Sequence, residues 1–135
     1  MVTSDNAATW SSFIDGWYRL PTSPWLQALV GRERWRIALL MRDGRPVATR
    51  SLYVEPGRHA WVGVEAPIPG LMAPSFDDDH VLLHALLLEA ARHHVPLVAG
   101  DVESTNTDRK GPAYDRWTAL GFTIGYHRAH YVHGR

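Results

Sequence analysis

Residues 112–122 read PAYDRWTALGF. A proline at the start, helical spacing and a closing glycine predict a short helix over AYDRWTAL, residues 113–120. Gly121 stops it, because glycine enters the left-handed region without a Cβ clash. Phe122 then opens FTIGYHRAHYV, which reads as one or two strands with Gly125 as a bend or bulge. The ring of Trp117 has two readings, a core aromatic facing the sheet or part of a site.

Working back from this segment, STNTDRKGP is a polar loop. VPLVAGDV before it is a continuous apolar run, the mark of a central strand. DDDHVLLHALLLEAARHH predicts a long helix whose Leu82, Leu83, Leu86, Leu87 and Ala90 share the sheet-facing side. Ser75 is its expected N-cap, with Asp78 reaching back as in a capping box. The stretch RWRIALLMRDGRPVATRSLYVEP holds two β-rich runs around Asp43-Gly44, a hairpin signal. Pro56-Gly57 makes a second turn, and HAWVGVEAP is a third strand, so the middle of the chain is an antiparallel meander. At the front, TWSSFIDGWYRL is helical, and a shorter helix runs from Pro24 to Val30 with Gly31 as its stop. The order α-α-β-β-β-α-β-α-β(β) describes one domain over residues 1–135, an α/β (α+β mixed) arrangement with helices on a mixed sheet.

Bulk properties narrow the function. The 135 residues carry 14 basic and 14 acidic side chains, which gives no electrostatic pull towards nucleic acid or an anionic membrane. Cysteine is absent, excluding disulfides, thiolate metal sites and cysteine nucleophiles. The N-terminus shows no signal-peptide pattern and no apolar run is long enough to span a bilayer, so a cytoplasmic location is expected.

DVESTN (101–106) followed by PAYDRWTALGF resembles the GNAT superfamily of N-acetyltransferases, whose members commonly place an Asn after the central strand and end the next helix in Tyr-x-x-Leu-Gly-Phe. The meander RDGRPVATRSLYVEPG and the helix LLHALLLEAARHHV look like further parts of that pattern, and the likeness covers roughly residues 33–133. It implies a mixed, mostly antiparallel sheet flanked by helices, and acyl transfer from acetyl-CoA or another acyl-CoA to a small amine. It also implies cofactor-contacting roles for Asn106, Trp117, and the backbone around Val64 and Ala66, where splayed strands expose amides to the acyl oxygen. Glu65, at the end of the third strand, stands where a general base is common, with Asp101 and Glu103 as alternatives. Trp117 replaces the usual Tyr, and an indole cannot protonate a departing thiolate. Tyr114, one turn away, or Tyr126 or Tyr131 could supply a phenol instead.

Two further departures stand out. Asp77 and Asp79 fall on the glycine positions of the family's diphosphate loop, where carboxylates favour the helix dipole and oppose a bound diphosphate. The first helix also starts so early that the family's first strand is expected to be lost. An open edge of that kind would admit a second copy of the chain or a partner GNAT-like half.

Other candidates come from spacing alone. Asp77, His80 and His84 lie on one helix side, as acid–base groups or as metal ligands, against the plainer reading of a solvated flank. His127, His130 and His133 recur every third residue, so a regular strand would split them between two faces. Trp10, Trp17, Trp25 and Trp35 crowd the front of the chain, as core or as the walls of a pocket for a small organic substrate. Three functions stay open: an acyl-CoA-dependent N-acyltransferase with a divergent cofactor loop, a scaffold doing CoA-independent acid/base chemistry on a small metabolite, and a non-catalytic binding or partner module.

Overall fold

A computed structural model describes residues 1–69, 72–73, 75–102 and 111–125. The chain divides into two compact units, Met1–Asp101 and Val102–Arg135.

In the first unit, a single 3-10 turn at Ser4–Asn6 leads into α1 (Ala7–Tyr18) and α2 (Ser23–Gln27). The meander follows as β1 (Trp35–Arg42), β2 (Arg45–Glu55) and β3 (His59–Ala66), then α3 (Asp77–Arg92) and β4 (Val98–Gly100). The described strands form one sheet in the order β1-β2-β3-β4, antiparallel except for the parallel β3–β4 pair. Asp43 and Gly44 both take positive φ, 48° and 75°, the conformation that a two-residue hairpin turn requires.

No strand precedes α1 among the described residues. The backbone instead touches the edge of β1 once, where the Val2 N–H donates to the Ile37 carbonyl at 2.7 Å. Residues 122–125 are not a strand, contrary to the sequence reading, and the rest of that expected strand lies outside the described residues. β4 is also no central strand in the described sheet. It pairs over three residues at the edge, with Ala99 exposed.

The two sheet faces are covered differently. Odd-numbered β2 residues face α1. The Trp10 indole N–H donates to Thr49 Oγ1 at 2.9 Å, and that hydroxyl donates onward to the Ala38 carbonyl at 2.7 Å. Trp10, Ile14, Leu26, Ile37 and Ala66 form the core of this face. Even-numbered residues, including Leu52 and Val54, face α3, which buries Leu82, Leu83, Leu86 and Ala90. Arg50 belongs to this second, apolar set.

The second unit contains α4 (Pro112–Ala119). Gly121 closes it at φ 91°, with its N–H donating to the Thr118 carbonyl at 2.9 Å and the Phe122 N–H to the Trp117 carbonyl at 3.1 Å. That pair of bonds is the Schellman ending, and the apolar contact that accompanies it is present: the Trp117 and Phe122 rings lie 4.5 Å apart. Among the described residues no helix is long and apolar enough to cross a membrane.

Candidate active site

The site begins with a fault in the ladder between β2 and β3. Thr49 pairs with Ala66 and Ser51 with Gly63, so Val64 and Glu65 together stand opposite Arg50. This is a β-bulge, which takes backbone groups out of the ladder and re-aims side chains. Val64 has φ 41°, a conformation that a β-branched residue adopts only when its surroundings impose it. One such constraint is visible: the Tyr18 hydroxyl, at the end of α1, donates to the Glu65 carbonyl at 2.7 Å.

Arg50 fills the space behind the bulge. Its side chain is only 4% exposed and forms ion pairs with Glu65 and, at 2.5 Å, with Asp79 in the first turn of α3. One guanidinium therefore joins β2, the bulge and the start of α3. Burying an arginine is tolerable only when carboxylates compensate it. Glu65 and Asp79 do so with side chains 25% and 11% exposed.

The first turn of α3 carries Asp77, Asp78 and Asp79. The helix begins one residue later than expected, so Phe76 occupies the N-cap position and makes no side-chain cap bond. Ser75 still contributes, since its hydroxyl accepts the Asp77 N–H at 3.2 Å. Asp78 pairs with Arg42, and Asp77 is exposed. Between this turn, the first half of β2 and the segment that follows β3 lies a cleft of about 160 Å³, lined by Trp17, Thr49, Pro67, Asp78, Asp79 and Leu82 among others.

Several sequence candidates fall into place here and others do not. Glu65 and Val64 meet at the bulge, while the side chain of Ala66 is wholly buried in the α1-side core. His80 and His84 sit side by side on an exposed flank of α3. Among the described residues no group of three or more His, Cys, Asp or Glu is arranged to hold a metal. Tyr114 is half-buried in α4, and Trp117 is buried in the same helix against Phe122. Asn106, Glu103, Tyr126, Tyr131 and the three C-terminal histidines lie outside the described residues. The front tryptophans do not share one pocket: Trp10 is core, Trp17 lines the cleft, Trp25 is exposed and Trp35 packs edge-on against Tyr53 at 5.6 Å.

Arg50 was missed by sequence reasoning, although it left a signal. It interrupts the apolar alternation Ala48, Leu52, Val54, and a charge on a buried strand face requires opposite charge nearby. The three aspartates at the start of the long helix were the obvious source.

No protein-family model and no curated protein matches the sequence. Solved structures do. A ribosomal-protein-alanine N-acetyltransferase from Brucella melitensis biovar Abortus 2308 superposes with a TM-score of 0.66 at 12% identity, over 99% of this chain and 96% of that one. The chain has the GNAT fold. AAC(6')-Iy, solved with the bisubstrate analogue CoA-S-monomethyl-acetylneamine, gives a TM-score of 0.70 at 13% identity, over 99% and 95% of the two chains. The aminoglycoside acetyltransferase meta-AAC0020 from an uncultured soil metagenomic sample, in complex with sisomicin, gives 0.69 at 12% identity, over 99% and 93%. In this GNAT fold the start of α3 borders the cleft, Arg50 ties that helical turn to the bulge on β3, and the chemistry has to be argued from the residues there.

Proposed function

We propose that this protein transfers an acyl group to the nitrogen of a small amine, with the β3 bulge holding the acyl carbonyl and the adjoining cleft admitting the amine. The observation that carries the reading is Val64 at φ 41° inside the bulge, tied down by Tyr18. Backbone strain persists where surrounding structure enforces it, and it concentrates at sites that do work. The solved acetyltransferases of the same fold, two of them with amine-bearing ligands, support the same class of reaction.

An acyl-CoA would supply the activated acyl group. Its carbonyl end suits the bulge, where backbone groups stand outside the ladder. Its diphosphate does not suit the first turn of α3, which carries three carboxylates. The chain's own residues have definable tasks. Glu65, anchored by Arg50, orients an ammonium or a water at the mouth of the bulge. Asp78 and Asp79 give the cleft an acidic side that favours a cationic amine, and Trp17 offers an aromatic wall that a cation can approach face-on. A transfer assay with acetyl thioesters and a panel of primary amines tests the reading, with the amide product detected by mass spectrometry. Failure of every amine to give an amide, in a preparation shown to be folded, would remove it.

A second reading, CoA-independent chemistry or ligand binding on the same scaffold, is favoured by the acidic first turn of α3. Retained binding of a small amine with no acyl transfer from any thioester would select it.

A further inference from the structure

Taking the acyl-transfer reading as the basis for the donor's identity, we infer that α3 is closed to the diphosphate of coenzyme A by an anion of the protein's own, the Asp79 carboxylate held by buried Arg50. The donor is then recognised through its thioester and pantetheine arm alone.

A helix N-terminus captures phosphate when its first N–H groups are free and no like charge competes. α3 meets neither condition in full. The Asp77 N–H is already donated to Ser75 Oγ, and Asp77 itself stands exposed at the opening. Among the described residues, the carboxylates of Glu65, Asp77, Asp78 and Asp79 at or tied to this helix end are met by the guanidinium groups of Arg42 and Arg50, each committed to an ion pair. The surplus is negative before any diphosphate arrives.

Neither arginine can be redirected without loss. Arg50 would have to give up its ion pairs with two partly buried carboxylates, a strongly unfavourable change. Arg42 is largely exposed and could turn more cheaply, but turning away from Asp78 adds another uncompensated charge to the same helical turn. Asp79 thus occupies, from inside the protein, the electrostatic position that an incoming diphosphate would need.

Isothermal titration of the full chain with coenzyme A, pantetheine and ADP tests this. ADP is expected to give no binding at millimolar concentration, and coenzyme A and pantetheine to bind within about tenfold of each other. Coenzyme A binding more than about tenfold tighter than pantetheine, or ADP displacing it, would overturn the closure while leaving acyl transfer intact. If none of the three binds, recognition through the pantetheine arm falls together with the acyl-transfer reading. A second arm uses Asp79→Asn, which removes the closing charge, keeps the shape of the side chain and leaves Arg50 on Glu65. This variant is expected to gain ADP binding, and an unchanged response to ADP would place the cause elsewhere and overturn the inference.

Discussion

Arg50 and Gly63 show how single residues fix the bulge. Arg50→Met leaves Glu65 and Asp79 without their shared counter-charge, so it should cost about 3–5 kcal/mol, read as a lower urea midpoint. Asp79→Asn, which leaves Glu65 on the guanidinium, should cost less. Equal midpoints for Arg50→Met and wild type would mean that the ion pairs do not hold this region. Gly63 is needed for a different reason. A Cβ there would meet the Trp61 ring at 2.2 Å, because the two residues share a face of β3. Gly63→Ala should therefore displace the indole, and a double-mutant cycle with Trp61→Ala should recover most of the loss. At this scale the sequence was partly legible. The glycine that ends α4 and the Asp-Gly turn announced themselves because backbone conformation restricts them to few residue types. The bulge did not, since one extra residue in a ladder leaves no fixed residue signature. Arg50 was legible in principle, through its place on an apolar strand face.

Helix ends carry the next set of predictions. Asp15, near the end of α1, accepts hydrogen bonds from the start of α2: from the Thr22 N–H at 2.8 Å, the Thr22 hydroxyl at 2.5 Å, the Ser23 N–H at 3.3 Å, and the Ser23 hydroxyl. The side-chain bonds from Ser23, then Thr22, hold its carboxyl below the usual carboxylate range. A lowered folded-state pKa means the stabilisation is complete above the unfolded value of about 3.9 and is lost as pH falls through the folded one. Melting curves should accordingly drop below about pH 4, and Asp15→Asn should flatten that part of the profile. In α4, Gly121→Ala places a Cβ at φ 91° and should weaken the ending by about 1 kcal/mol, seen as faster amide exchange at Phe122. Most elements could be read from the sequence to within a few residues, because period and turn chemistry are local properties. β4 shows a complementary limit: an apolar run indicates burial, but the number of partners a strand gains is decided elsewhere in the chain, and among the described residues β4 pairs with β3 alone. Trp117 was ambiguous in sequence, and its ring contact with Phe122 gives it a role in closing α4.

At the scale of the molecule, the antiparallel meander and the packing of α3 on the sheet followed from the order of elements, whereas the site did not. It depends on contacts between Tyr18, Arg50, Glu65 and Asp79, residues spread over α1, β2, β3 and α3. No local pattern encodes such distances. The Tyr18 bond yields a further prediction here: Tyr18→Phe keeps the aromatic packing of α1 but removes its hydrogen bond to the Glu65 carbonyl. It should lower turnover of an acyl donor more than it lowers the melting temperature, and a variant with unchanged turnover would detach α1 from the chemistry.

The parallel pairing of β3 with β4 has a kinetic consequence. The hairpins joining β1, β2 and β3 close over turns of a few residues, but β4 reaches its partner only after residues 67–97, including all of α3, have been made and folded back. Loop closure of that length is slow relative to hairpin formation. The three-stranded ribbon should therefore assemble first, with β4 docking late. Conservative substitutions at Leu52 would then slow refolding, whereas those at Val98 would mainly hasten unfolding.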